Sequence, residues 1–172
     1  VFYLSTVFAL SYGTATLGYP RKSFLLFECV AILFMALAIP LSGWAADRFG
    51  RKPVLVSGLA VTGALGAVLG PMLGSDEPAL VLGFLCLALF AMGWIFGPMG
   101  ALLPELFPTR VRYTGASVTY NLAGIVGASG APFAAQWLAD RGGIGLVGLY
   151  LAVAAGISLA AIAAMPETGR DP

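Results

Sequence analysis

The sequence predicts an all-α membrane protein with six transmembrane helices. Of its 172 residues, 59% are hydrophobic and only 10% are charged, whereas a water-soluble domain carries about a quarter charged residues. The apolar residues form six long runs, each close to the roughly 20 residues that a helix needs to cross a bilayer. Short polar turns separate the runs, and no linker is long enough to divide the chain into two domains.

Taken in order, each apolar run ends at a group of polar or turn-forming residues. The predicted spans are residues 1–17, 23–45, 54–73, 79–103, 113–139 and 146–165. The first stops at Gly18-Tyr19-Pro20-Arg21-Lys22, the second before the charged turn 47–52, and the third at Gly74-Ser75-Asp76-Glu77-Pro78. Because Val1 is already apolar, without an initiator Met or a basic flank, we expect a chain that begins inside a helix of a longer protein.

Glycines recur within the third, fourth and fifth spans. Small residues allow helix backbones to approach closely in lipid, where no hydrophobic force drives helices together. The sequence therefore predicts a close-packed bundle, with Gly66 and Gly70 as one G-x-x-x-G pair. Gly97-Pro98 and Gly130-Ala131-Pro132 are candidate helix breaks.

Basic residues are unequally divided between the two ends of the predicted helices. Six lie at one end and three at the other: Arg48, Arg51, Lys52, Arg110, Arg112 and Arg170 against Arg21, Lys22 and Arg141. Because basic loops stay in the cytoplasm, the larger group and both chain ends are expected there. The net charge of +1 gives no reason to expect a nucleic-acid partner.

The sequence has no pattern typical of an enzyme, a metal site or a cofactor site. It contains no histidine and no glycine-rich phosphate loop followed by lysine. The two cysteines, Cys29 and Cys86, lie within apolar runs and are expected to be packing residues. We therefore expect neither catalysis nor a bound cofactor or metal.

Four motifs, whose order and spacing agree along the chain, indicate a known family. They are Gly43-x-x-x-Asp47-Arg48-x-Gly50-Arg51-Lys52, Pro104-Glu105-Leu106-Phe107-Pro108-Thr109-Arg110-Val111-Arg112, Tyr113-Thr114-Gly115-Ala116-Ser117 with Tyr120-Asn121-Leu122-Ala123-Gly124, and Pro166-Glu167-Thr168-Gly169. Over essentially its whole length the chain resembles the C-terminal half of the major facilitator superfamily, and more closely its metabolite:proton symporter branch. Its six helices correspond in this resemblance to the last six of twelve. Lys52 stands where the family usually has a second Arg, which puts any bidentate pairing there in doubt.

The resemblance implies a secondary active transporter in the bacterial inner membrane that works by alternating access. Its partners would be the lipid bilayer, the solute, protons and the N-terminal half of the same transporter. A small organic acid or zwitterion is the expected solute, and a sugar porter or a drug/proton antiporter of the same superfamily is the alternative. From a different class, the chain could be a half-length protein that homodimerises, or a structural fragment that transports nothing.

The same resemblance implies a cytoplasmic gate at one end of the helices. Its residues are Gly43, Asp47, Arg48, Arg51, Glu105, Arg110, Arg112 and Glu167. Opposite charges on adjacent helix ends can pair, and pairs that break on opening favour one conformation. Gly43 is expected to face a helix of the other half. The alternative is a set of solvated loop charges that only fix the topology.

Polar side chains near the middle of a span are candidates for binding the solute, because buried amides and hydroxyls need partners or water. The candidates are Asn121, Tyr120, Trp94, Tyr12 and Gln136. Asn121 lies eight residues after Tyr113, about 12 Å along a helix and so near the centre of a bilayer about 30 Å thick. For each candidate the alternative is a hydrogen bond that only holds the bundle together.

Glu28 is the only carboxylate within a predicted span. A buried carboxylate can carry a proton, so Glu28 is a candidate for proton coupling. It also lies close to Arg21 and Lys22 in sequence, and the sequence favours snorkelling or pairing with one of them.

One short pattern occurs twice. Ala139-Asp140-Arg141-Gly142-Gly143 is similar to Ala46-Asp47-Arg48-Phe49-Gly50, and transporter halves can contain inverted three-helix repeats. Because the match is short and loose, chance is the better explanation from the sequence alone.

Overall fold

In the computed structural model, which describes residues 1–165, the chain folds into a bundle of six helical stretches. A π-helical segment, Leu4–Phe8, continues directly into α1, Ala9–Ala15. The other helices are α2 (Arg21–Phe49), α3 (Arg51–Leu73), α4 (Pro78–Glu105), α5 (Arg112–Gly142) and α6 (Ile144–Ala164). The prediction of an all-α fold is confirmed, since all regular structure in the described residues is helical.

Five of these helices, α2 to α6, are long and apolar enough to cross a membrane. The first helical stretch, Leu4–Ala15, is shorter than the span predicted over residues 1–17. Most of the others extend beyond their predicted spans; α2, for example, begins at Arg21 and continues to Phe49. Polar residues at the ends of the apolar runs therefore continue the helices beyond the stretch that hydrophobicity alone marks.

Single glycines join two pairs of consecutive helices. Gly50 connects α2 to α3 with φ 94°, and Gly143 connects α5 to α6 with φ 76°. Positive φ values of this size favour glycine, because a Cβ would clash with the backbone. Each helix pair therefore reverses direction over one residue.

The helix ends form two opposite faces of the bundle. The Gly50 face contains Gly50, the α4–α5 connection and the end of α6. Arg51 pairs with Glu105 at the end of α4, and Lys52 Nζ donates to the Ala163 and Met165 carbonyls at 2.9 and 2.7 Å. The Gly143 face contains the α1–α2, α3–α4 and α5–α6 turns. At this face a Cβ added to Gly74 would lie 3.1 Å from Ile144 Cγ2.

Close contacts between α2 and α4 depend on glycine. A Cβ at Gly93 would lie 2.5 Å from the Met35 carbonyl, and a Cβ at Gly97 would overlap Ser42 Oγ. Ser42 Oγ itself donates to the Gly93 carbonyl at 3.3 Å. The predicted close-packed bundle is therefore present between these helices.

A second close contact joins α3 to α6. A Cβ at Gly66 would lie 2.5 Å from the Gly148 carbonyl, and a Cβ at Gly148 would overlap the Gly66 carbonyl.

The prediction of helix breaks at Gly97-Pro98 and Gly130-Ala131-Pro132 is wrong, because α4 and α5 run through both. Prolines are tolerated inside membrane helices, where neighbouring groups can satisfy the freed carbonyls.

Candidate transport site

A groove runs along the side of the bundle between α4 and α5 and reaches the start of the chain. It consists of two adjoining cavities of about 650 and 680 Å³, which share Phe96, Met99, Tyr120 and Asn121. The cavity nearer the Gly50 face also has Pro104, Thr109, Arg112 and Tyr113 in its wall. The deeper one adds Phe2, Tyr3, Met35, Met92, Ile95 and Ala123. The wall is thus mostly apolar and aromatic, with a few polar groups.

Tyr120 and Asn121, two of the predicted solute-binding residues, lie in both cavities. Tyr120 is 56% exposed as a residue, and its ring stands edge-on to Phe96 with 6.5 Å between ring centroids. Asn121 Nδ2 donates to the Ser117 carbonyl at 2.8 Å, which leaves the amide oxygen to accept from a bound molecule. Asn121 is nine residues from the start of α5, about 14 Å along the helix.

The other three predicted solute-binding residues do not line either cavity of the groove. Trp94 Nε1 donates to Ser57 Oγ at 3.0 Å, so its indole is held against α3. Tyr12 stacks on Phe8 at 5.7 Å and packs against the main core. Gln136 Nε2 donates to Asp140 Oδ1 at 2.9 Å on the same helix. The Trp94 bond joins α4 to α3 and Tyr12 packs in the core, whereas the Gln136 bond stays within α5.

Sequence reasoning missed the contribution of α4 to the groove. Met92, Phe96, Met99 and Leu103 follow one another at intervals of four, three and four residues. This is the spacing of one helix face. The periodicity could have placed these residues on a common face, although it could not have shown that this face is open.

One ion pair connects predicted gate residues. Arg51, the first residue of α3, pairs through Nη1 with Oε2 of Glu105, the last residue of α4. The Arg51 and Glu105 side chains are 17% and 35% exposed. Because the neighbouring residue Lys52 binds the end of α6, two consecutive side chains connect the Gly50 turn to two different helices.

The other gate candidates that the structure describes lie at the Gly50 face and form no ion pair within residues 1–165. Asp47 and Arg110 are exposed, and a Cβ at Gly43 would meet no described atom within 4 Å. The Arg48 guanidinium lies 5.8 Å from the Trp44 ring centroid. Arg112 is in the groove wall, and Glu167 lies outside the described residues.

Glu28 is buried, with 8% of its surface exposed. Phe24 and Ala31, which lie on the same face of α2, are fully buried. The expected ion pair of Glu28 with Arg21 or Lys22 is absent within residues 1–165, and the burial of its side chain argues against snorkelling. Its Oε1 atom is buried and has no hydrogen-bond partner there.

Comparisons with known proteins identify the same family along the whole chain. Residues 1–171 match the sequence profile of the family described as "Sugar (and other) transporter". The chain is 48% identical over 174 residues to the "Inner membrane metabolite transport protein YhjE" of Escherichia coli K12, covering 98% of this chain and 39% of that protein.

Two more distant relatives are named for specific solutes. The "Shikimate transporter" of Escherichia coli K12 is 34% identical, over 79% of this chain and 31% of that protein. The "Glycine betaine/proline/ectoine/pipecolic acid transporter OusA" of Dickeya dadantii is 31% identical, over 99% of this chain and 34% of that protein. The chain spans about two fifths or less of the length of these relatives.

Proposed function

Because this chain belongs to the sugar and other transporter family of the major facilitator superfamily, we propose that it forms one half of a secondary active transporter. In this proposal it moves a small polar metabolite together with protons across the bacterial inner membrane, by alternating access. The observation that carries the proposal is the open groove between α4 and α5, which contains Tyr120 and Asn121.

The exposure of α5 supports a partner on the open side of the groove. Val118, Ile125 and Phe133 of α5 are 58%, 65% and 76% exposed. An apolar helix face of this kind is covered by lipid or by another protein surface. An N-terminal half of the same transporter is the proposed partner, since a site at the interface of two halves is typical of such carriers.

The chemistry of the groove favours a solute that carries a carboxylate. The described residues in its wall include no Asp or Glu, whereas Arg112 places a positive charge at its Gly50 end. Asn121 and Tyr120 add neutral hydrogen-bonding groups. Relatives named for shikimate and for glycine betaine, proline and ectoine suggest an organic acid or zwitterion of similar size.

The Gly50 face is the proposed cytoplasmic gate, with both chain ends on the cytoplasmic side. Support comes from the Arg51–Glu105 pair, which joins the ends of α3 and α4. The exposure of Asp47 and the open space at Gly43 suit contacts with the other half. For proton coupling in this half we propose Glu28, because its buried Oε1 lacks a partner within the described chain.

Solute uptake into proteoliposomes under an imposed proton gradient tests the proposal. Asn121→Ala should lower uptake at least about tenfold, because it removes polar contacts that a bound solute would use. Ser129→Ala is the matched control, since Ser129 is exposed on the same helix but bonds only to the Ile125 carbonyl. Equal uptake by the two variants would exclude Asn121 from the solute site.

A sugar porter or a drug/proton antiporter remains the alternative within the superfamily. Accumulation of a sugar, or proton-driven efflux of an apolar cation, would identify either one in the same vesicles. A stable homodimer of this chain in detergent, active without another half, would favour the half-length carrier.

A further inference from the structure

The similarity between the turns at Gly50 and Gly143 extends over seven residues and includes a tryptophan in each. Trp44-x-Ala46-Asp47-Arg48-x-Gly50 and Trp137-x-Ala139-Asp140-Arg141-x-Gly143 share five of seven residues in the pattern W-x-A-D-R-x-G. The tryptophan lies one helical turn before the arginine in both, so that the two side chains share a helix face.

The two segments also have the same local structure. Each ends a long helix at a single glycine, whose N–H donates to the alanine of the motif: Gly50 to Ala46 at 3.0 Å and Gly143 to Ala139 at 2.9 Å. In each, the arginine lies over the ring of its tryptophan, at 5.8 Å in the first and 4.2 Å in the second. The structure therefore argues against chance as the explanation.

The segments occupy equivalent places in two sets of three helices. The first lies between the second and third helices of the set α1–α3, and the second lies between the second and third helices of the set α4–α6. They are at opposite faces of the bundle, the Gly50 face and the Gly143 face. This is the arrangement that an inverted repeat produces.

In both turns the carboxylate remains available to a group outside the described bundle. Asp47 and Asp140 are exposed and form no ion pair within residues 1–165. The adjacent arginine stacks on its own tryptophan by a cation–π contact and does not neutralise the aspartate. Asp140 uses Oδ1 to accept from Gln136, which fixes the orientation of the carboxylate and leaves Oδ2 without a described partner.

We propose that the Asp140 turn is a latch on the Gly143 face, the counterpart of the Asp47 turn on the Gly50 face. Its partner is a positively charged group of the other half of the transporter. The inference rests on the proposed function. Because this chain covers only 39% of the YhjE protein, we take the other half of the transporter as the partner of the Asp140 turn. When the Asp140 latch is closed the groove is shut at the Gly143 face, and when the Asp47 latch is closed it is shut at the Gly50 face.

The test measures from which face the groove is open, in the complete transporter that the proposed function requires. Cys29 and Cys86 are replaced by Ala, and Ala123, which lines the groove, is replaced by Cys as a reporter. A membrane-impermeant maleimide is added from the side of the Gly143 face, and the rate of labelling at residue 123 is measured. Solute uptake is measured in the same preparations.

Two neutralising substitutions should shift the labelling rate in opposite directions. Asp140→Asn weakens the Gly143 latch and should raise the rate about two- to fivefold, the range expected from the loss of one exposed ion pair. Asp47→Asn should lower it by a similar factor. Asp76→Asn is the matched control, because Asp76 is an exposed acid at the Gly143 face outside the motif, and it should leave the rate unchanged.

Further variants separate charge from folding. Asp140→Glu keeps the charge and should retain the rate of the parent, whereas Asp140→Ser is a second neutral variant if the asparagine variant fails to reach the membrane. An unchanged rate in both neutral variants, with a lower rate in Asp47→Asn, would overturn the latch and leave the proposed function intact. Unchanged labelling rates in all variants, together with no solute uptake, would overturn both the latch and the proposed function.

Discussion

The contact between α3 and α6 allows a sharp test of the packing, by replacing two glycines of one helix with alanine. A Cβ at Gly66 would lie 2.5 Å from the Gly148 carbonyl oxygen, which belongs to the backbone and cannot rotate away. A Cβ at Gly63 would lie 3.7 Å from Ala155 Cβ, an ordinary van der Waals distance. The two positions share the same helix and differ mainly in this contact.

The expected magnitudes follow from two terms. Replacing glycine by alanine inside a helix stabilises by roughly 0.5–1 kcal/mol, and this term is the same at both positions. At Gly66 the helices must also separate by several tenths of an ångström, and overpacking of this kind costs about 1–3 kcal/mol. Gly63→Ala should therefore be neutral or stabilising, and Gly66→Ala should be less stable than Gly63→Ala by about 1–3 kcal/mol.

Equilibrium unfolding in mixed micelles of a mild detergent and dodecyl sulfate, followed by circular dichroism, measures the difference. The comparison of the two variants cancels the helix-propensity term, so that it reports the contact alone. Equal free energies of unfolding would refute the reasoning, since they would mean that α6 does not press against α3 at Gly66.

Three further predictions concern the helix ends. Arg51→Gln and Glu105→Gln, measured singly and together, should show a coupling energy of about 1 kcal/mol in the free energy of unfolding, and additive effects would mean that the two charges do not interact. Lys52→Met should speed amide hydrogen exchange at the end of α6, where Lys52 Nζ binds two carbonyls, whereas Lys52→Arg should keep the slow exchange. The pKa of Tyr19 is raised by desolvation and by the nearby charges of Asp76 and Glu77, so its contribution to stability is complete below about pH 10 and is lost as the pH rises through the raised pKa. Tyr19→Phe should flatten the decrease in thermal stability above about pH 10, and an unchanged decrease would show that another group causes it.

The helices were largely predictable because apolar runs of membrane length have few alternatives in a chain with so little charge. Their ends were less predictable, since residues such as Arg21 and Arg48 remain helical beyond the apolar run. The prediction of a helix break at Gly97-Pro98 is wrong because proline interrupts helices in water more often than in a membrane bundle, where neighbouring groups satisfy the freed carbonyl.

The candidate site was only partly predictable, for a geometrical reason. Position along a span gives the depth of a residue, which placed Asn121 well inside the helix. It does not give the direction in which a side chain points, because lipid and protein core are both apolar and leave little periodic contrast in the sequence. Trp94 and Tyr12 lie within spans as predicted but point toward α3 and the core.

The Gly50 turn has a mechanical consequence for any motion of this helical bundle. Gly50 joins α2 directly to α3, and the two residues that follow it bind the ends of α4 and α6. Helices α2, α3, α4 and α6 are therefore connected at this turn, and a displacement of the turn moves their ends together. The nearby end of α5 is joined to α4 only through residues 106–111 and does not share these contacts with the turn. A rocking motion would therefore bend the bundle at that connection while the four anchored helices keep their spacing.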